Sequence, residues 1–366
     1  FCMAILKYIL IIIAILLVFA FLSFIIKFTS KRLTIFASVI AITILSILSI
    51  LIVYMNYTVN ISSKIKVSAK EKELKEEKKR IRNNIIIRPG AIELISLHLS
   101  YSNRISVPII KNRELGFYLD NTWFNWADGK LLKDEDMPNR DEYINFGFYS
   151  YSLDGLPKLP EASEEMTREF EDSFKRRINS RRTINDEFLN TLYDGNTSRN
   201  IFNNIMTMSV LGYRTQVHEF IQKPLSNANA EVFAVAQTNE EVKKFLSSLK
   251  TVSGYVWKMI SKSSSKSYHS YGAAFDTLPR RNGGKQIYWA WTRVNNKNWY
   301  AVPYEDRWHP PEDVIKIFEK HGFIWGGKWN NYDTIHFEYR PELIIYNRIK
   351  DDENAIYELI EKYGLY

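Results

Sequence analysis

Two uncharged apolar runs open the chain and constrain its class more than any other feature. Residues 8–26, YILIIIAILLVFAFLSFII, form a run of 19, and residues 33–55, LTIFASVIAITILSILSILIVYM, a run of 23. A helix needs about 20 apolar residues to cross a bilayer core, so each run is read as a transmembrane helix. A cleaved signal peptide is the rival for the first run. That run is long for a signal peptide and lacks a small-residue cleavage site. Because the chain opens on Phe1, two spans are read as a minimum. The connection KFTSKR is short and basic, which places it in the cytoplasm and both ends outside. Lys64, Lys66 and Lys70 follow the second run and pull the other way, so the charges leave orientation divided.

The next segment, KIKVSAKEKELKEEKKRIR at 64–82, interleaves nine basic and four acidic residues. Glu73 and Glu76 each stand three or four positions from a lysine, as on a salt-bridged helix face. It reads as a solvated stalk helix; a polybasic membrane-surface segment is the alternative. Charge then drops away. Of the net +8, residues 1–63 carry +4 and residues 64–82 carry +5, leaving −1 for the remainder. A basic pI produced by an anchor does not indicate nucleic-acid binding, and no nucleic-acid partner is expected. The single cysteine, Cys2, excludes an intrachain disulfide and a thiolate metal site. Any metal must be held by His, Asp or Glu.

Beyond residue 90 the pattern is that of a mixed α+β protein. Residues 91–160 read as loop-rich, with short strands and a turn at Asp128-Gly129. Helices are expected over 161–182, entered at Pro160, and over 184–193, with a turn at Asp194-Gly195-Asn196. Residues 206–220 read as one strand, 239–250 as a helix and 254–260 as a strand. The stretch 310–322, PPEDVIKIFEKHG, has Pro at its start and Gly just past its end, a well-signalled helix over 311–322.

Two short stretches carry the chemistry. SYHSYGAAFD at 267–276 sets His269 seven residues before Asp276, and DTIH at 333–336 sets Asp333 three residues before His336. Two histidines and one aspartate make a three-ligand site with an open fourth position, the pattern of a catalytic zinc. Such a metal acidifies water and polarises a carbonyl, and a second carboxylate, Asp333, can move the proton as general base. In this reading His269 ends one strand and Asp276 begins the next, Gly272 permits the tight turn between them, and Phe275 packs into the core. Asp333 and His336 would face opposite sides of a regular strand. Their convergence requires a turn at Asp333, with a strand running from His336 through Tyr339.

These residues resemble the M15 zinc peptidases, the D-alanyl-D-alanine carboxypeptidases, dipeptidases and related endolysins. The S-x-H-x-x-G-x-A-x-D signature stands here as Ser267, His269, Gly272, Ala274 and Asp276. The second motif stands as Asp333 and His336 inside GFIWGGKWNNYDTIHFE, whose Gly and Trp content is similar to the L-alanyl-D-glutamate endopeptidase branch. The likeness covers about residues 254–342. It implies Zn2+ held by His269, Asp276 and His336, Asp333 as base, and a compact α+β domain with a mostly antiparallel sheet. Many relatives have Glu where Asp333 stands. Relatives also use an arginine to hold substrate or oxyanion; here Lys258 stands at the matching place, with Arg214 as competitor. Ser267 either caps a turn or touches substrate.

The other histidines, His98, His218, His309 and His321, read as structural. Trp289, Trp291, Trp325 and Trp329 are equally suited to a peptide or glycan groove and to the core. The expected organisation is two transmembrane helices (1–57), a charged stalk (58–90), an accessory mixed region (91–183), the zinc peptidase domain (184–350) and a C-terminal helix (351–366). The expected function is a membrane-anchored zinc peptidase on the extracytoplasmic side of a bacterial cytoplasmic membrane. It would cut amide bonds next to D-amino acids in peptidoglycan stem peptides, the D-Ala-D-Ala carboxypeptidase type being favoured. The alternatives are a metal-retaining wall-peptide binding module without turnover, and a membrane scaffold.

Overall fold

The computed structural model describes residues 31–84, 86–180, 182–260 and 265–366, with residues 18, 20, 21, 23 and 24 before them. The first apolar run falls almost wholly outside the described residues. The second run and the charged stretch after it form one helix, α1 (Lys31–Asn84). Span and stalk were expected as separate elements; no Gly or Pro stands between them to break the backbone ladder. Within α1, Ile42–Glu77 is long and apolar enough to cross a membrane, and among the described residues it is the one such helix. The hydroxyls of Thr43, Ser46 and Ser49 each donate to the carbonyl four residues back. These polar groups thus need no water, as a bilayer interior requires.

Residues 86–366 form a separate unit. It begins with α2 (Ala91–Ser100), where a helix had not been expected. A four-stranded antiparallel sheet follows in chain order: β1 (Ile109–Lys111), β2 (Glu114–Leu119), β3 (Thr122–Ala127) and β4 (Lys130–Leu132). Asp128 and Gly129 turn β3 into β4 with φ of 50° and 90°, both in the left-handed region that a tight hairpin turn demands. Next come α3 (Glu164–Asn179), capped by the Ser163 side chain, then α4 (Glu187–Leu192) and α5 (Ser198–Asn203).

The stretch expected as one strand over 206–220 is a hairpin of β5 (Ile205–Val210) and β6 (Tyr213–His218). Leu211 and Gly212 make its turn at φ of 51° and 89°. α6 (Gln222–Val235) and α7 (Glu240–Ser248) lead into β7 (Leu249–Ser253). The strand expected at 254–260 therefore lies one segment earlier. Residues 254–260 spend their backbone bonds elsewhere: Tyr255 N donates to Gln216 O and Val256 N to His269 O.

The second sheet carries the site. Its strands are β7, β8 (Ala274–Pro279), β9 (Phe323–Trp325) and β10 (His336–Tyr339), in the order β7-β8-β10-β9 with every pair antiparallel. Between them lie α8 (Trp289–Asn295) and α9 (Glu312–Lys320), and α10 (Pro341–Ile349) and α11 (Glu353–Tyr363) close the chain. One face of β8 and β10 is core. Phe275 stacks on Phe337 at 5.2 Å, and Phe318 of α9 packs on Phe337 at 4.8 Å.

Gly272 joins this sheet to the β5–β6 hairpin. Its φ is 62°, and a Cβ there would stand 2.7 Å from His218 N and 2.5 Å from Ile205 Cδ1. His218 N donates to Gly272 O at 2.9 Å. Gly283 has the same φ of 62° but nothing within 4 Å of a Cβ. Gly272→Ala is therefore expected to cost about 1–3 kcal/mol and to lower the melting temperature more than Gly283→Ala does. Tryptophan fluorescence reads this unit alone, because all nine tryptophans follow residue 85. Equal shifts for the two variants would remove the close approach as the reason for Gly272.

Candidate metal centre and its cleft

His269 does not end a strand. It sits in a single 3-10 turn, Tyr268–Tyr271, whose entry is capped by the Ser267 hydroxyl accepting from His269 N at 3.4 Å. Asp276 lies within β8, and His336 is the first residue of β10. The two are directly opposite across the strand pair. The required turn at Asp333 is present, with His336 N donating to Asp333 O at 3.3 Å.

Three ligand atoms converge. His269 Nε2 lies 3.1 Å from Asp276 Oδ1 and 3.2 Å from His336 Nδ1, and His336 Nδ1 lies 3.0 Å from Asp276 Oδ1. Edges of a tetrahedral site with bonds of about 2.0 Å are about 3.3 Å, so the triangle fits a small divalent cation with little movement. The far ring nitrogens are held as a metal site needs. His269 Nδ1 donates to Gly254 O at 2.6 Å, and His336 Nε2 donates to Glu338 Oε2 at 3.1 Å. These bonds leave the inward nitrogens with their lone pairs free for a cation. His269, Asp276 and His336 could therefore hold a metal ion.

The electrostatics agree. Burial raises the pKa of Asp276, but hydrogen bonds from His269 and His336 outweigh it and hold the carboxyl far below the ordinary range. Burial works against charge on His336, yet its bonds to Asp276 and Glu338 push its pKa upward. Without an ion, a proton takes the place of the cation among these groups.

Asp333 faces the same cleft. Burial, reinforced by the charge of Asp276 and opposed by His336 and Lys258, pushes its carboxyl up to about 6. Its Oδ1 is buried without a hydrogen-bond partner among the described residues. An unpaired buried carboxylate oxygen is costly, and it is ready to accept from a water.

The cleft has a volume of about 560 Å³. Lys258 and Ser267 line it; Arg214 lies exposed on β6 and is not among its lining residues. Trp289, Trp291 and Trp329 line it too, whereas Trp325 is fully buried with its Nε1 donating to Thr334 O. The remaining histidines lie elsewhere. His218 is buried with both ring nitrogens bonded, Nε2 to Tyr193 O and Nδ1 to Phe220 N. His98 meets Ile105 O, His309 meets Pro310 O and His321 meets Glu231.

Two residues of the site escaped the sequence reading. Glu338 was visible in principle, because two positions after His336 on a strand is the same face. Arg177, at the end of α3, also lines the cleft, and no local pattern marks it.

Zinc, used as the probe, is expected to bind one per chain and to release protons, since His336 must give up the proton its neighbours hold. Affinity then climbs as pH rises. Glu338→Gln keeps the shape and loses the charge, and should weaken zinc about 10–100-fold. Calorimetry in two buffers of different ionisation enthalpy reads both effects. Unchanged affinity would show that Glu338 does not support His336.

No curated protein and no solved structure matches this chain. Residues 261–339 match the family model described as D-alanyl-D-alanine carboxypeptidase. The match spans both motifs and supports an M15 family peptidase over the segment that brings His269, Asp276, Asp333 and His336 together.

Proposed function

We propose that this protein is a membrane-anchored zinc peptidase that hydrolyses amide bonds next to D-amino acids in peptidoglycan stem peptides, with the D-Ala-D-Ala carboxypeptidase type favoured. It would work on the extracytoplasmic side of a bacterial cytoplasmic membrane, held by α1. The observation that carries this reading is the His269–Asp276–His336 triangle with the unpaired Asp333 Oδ1 in the same cleft. Two imidazoles and one carboxylate suit zinc, and three protein ligands leave a position open. When bound there, zinc supplies an acidified water and a polarised scissile carbonyl.

The chain's own residues do the rest. His269 and His336 are oriented by Gly254 O and Glu338. Asp333, ionised, accepts a proton from water and returns it to the leaving amine, so one carboxyl serves as base and then acid. Its buried setting keeps its pKa near the working range, which makes both transfers feasible. Lys258, beside Asp333, supplies positive charge where an oxyanion or substrate carboxylate would form. Ser267 braces the His269 turn and faces the cleft.

The test is incubation of the full chain in detergent with muropeptides, with and without a chelator, followed by mass spectrometry. Chelator-sensitive loss of terminal D-alanine is the expected result. An internal cut would replace the carboxypeptidase type by an endopeptidase. No product with zinc bound would overturn turnover and leave a binding module. Asp333→Asn should lower kcat about 10²–10⁴-fold while zinc still binds; an unaffected rate would remove Asp333 as base. The base works ionised, so kcat/KM should rise with pH through an acid limb at or below about 6.

A further inference from the structure

Two parts of the cleft lie outside the family-matched segment: residues 258–260 just before it, and α3 far upstream. α3 precedes that segment by more than 80 residues and still reaches the cleft through Arg177. α3 has no fully buried side chain. It rests on α8 and the turn after it. Met166, Phe170 and Phe174 pack on Trp289, Trp299 and Tyr300, with Phe170 stacked on Tyr300 at 4.5 Å. Arg293 of α8 grips Glu171 with two bonds, 2.8 and 2.5 Å, and its guanidinium lies 4.1 Å from the Phe174 ring centre. These contacts fix the helix on the wall of the cleft.

A basic residue in the last turn of a helix complements the macrodipole, which accounts for Arg176 and Arg177 as a pair. It does not account for where they go. Arg176 lines a separate surface hollow with Asp172 and Lys175. Arg177 stands in the cleft, its guanidinium 5.8 Å from the Trp289 ring centre and 5.7 Å from that of Phe174. Among the described residues, neither Arg177 nor Lys258 has a carboxylate partner. Tyr288 and Asp333 are the two partners of one backbone bridge; burial raises the pKa of both, and Arg177 opposes that rise at Tyr288 as Lys258 does at Asp333. A cleft that keeps two cations without carboxylate partners, Lys258 by its base and Arg177 by Trp289 and Tyr288, is built for an anion. Of the two, only arginine presents a planar fork that matches a carboxylate with two bonds.

We infer that Arg177 binds the C-terminal carboxylate of the substrate, with Lys258 as second cation, so that α3 selects peptides ending close to the scissile bond. This rests on the peptidase reading above and names its specificity residue. Arg177 is a positioning residue: it holds the carboxylate, and it takes no part in proton transfer.

The test uses the zinc-loaded full chain in detergent and the peptide acetyl-Lys-D-Ala-D-Ala, as free acid and as C-terminal amide. Binding is read by calorimetry in an Asp333→Asn background, so that a chain without turnover still reports on Arg177. The acid should bind at least tenfold tighter than the amide. Arg177→Gln should weaken the acid about 10–100-fold, leave the amide unchanged, and leave the melting temperature unchanged because the side chain is exposed. Arg177→Lys should recover part of the loss. In the active chain the loss should appear in KM, with kcat changed less than about threefold. Equal affinity for acid and amide overturns carboxylate recognition. Equal losses for both peptides on Arg177→Gln overturn its assignment to the carboxylate. A third peptide, with a D-Glu side chain and an amidated C-terminus, overturns the C-terminal assignment if it binds as tightly as the acid.

Discussion

Asp276 and His336 are opposite partners across β8 and β10, and the pleat sends both side chains to the same face. On the reverse face of the same two strands, Phe275 stacks on Phe337. Ligand geometry and core packing are therefore two sides of one strand pair. The alternation also delivers Glu338 beside His336. From there a line of alternating charge runs inward: Glu338 pairs with Arg340, Arg340 with Glu342, and Glu342 accepts from the Tyr101 hydroxyl. Buried charges are tolerated only when each is paired and hydrogen-bonded, and here Arg340 stands between the two glutamates while the Tyr101 hydroxyl closes the line. The line begins at the candidate metal site and ends on the residue that caps α2. A site for a cation is thus balanced by carboxylates whose own cost is met deeper in the fold.

The candidate ligands were legible because their spacing is local. The turn at Asp333 followed from geometry: residues three apart cannot share a strand face, so the strand had to start at His336. Gly272 was legible for the same kind of reason. His269 was placed on a strand because nothing in SYHSY distinguishes an extended end from one 3-10 turn. The hairpin at 205–218 was hidden because its turn is Leu211-Gly212, with a leucine at positive φ where Asn or Asp would have announced it. AIELISLHLS is too short and too uniformly apolar to separate helix from buried strand. Arg177 was beyond reach because only tertiary packing brings α3 to α8.

Residues 91–160 carried no chemical motif, and their contacts explain their presence. The Tyr151 hydroxyl accepts from Trp325 N and donates to Glu319, which is paired with the buried Lys328 at 2.6 Å. Lys328 also donates to Ser152 O. Breaking a buried pair by removing one partner leaves an uncompensated charge, and that makes this junction unforgiving. Trp325 lies on β9, next to β10. The upstream segment is thus wedged against the sheet that carries His336, as a brace.

α3 is built differently from everything around it. Its attachment includes three half-buried apolar side chains, one surface ion pair and hydrogen bonds of Ser163 and Thr167 to Tyr300 and Asn298, while β8 and β10 are locked by fully buried aromatic packing. Elements with few buried contacts open at free energies well below that of global unfolding. The wall that α3 gives the cleft is therefore less firmly held than the floor, where Asp276 and His336 stand on β8 and β10. The cleft thus joins a stiff chemical floor to a more compliant side wall.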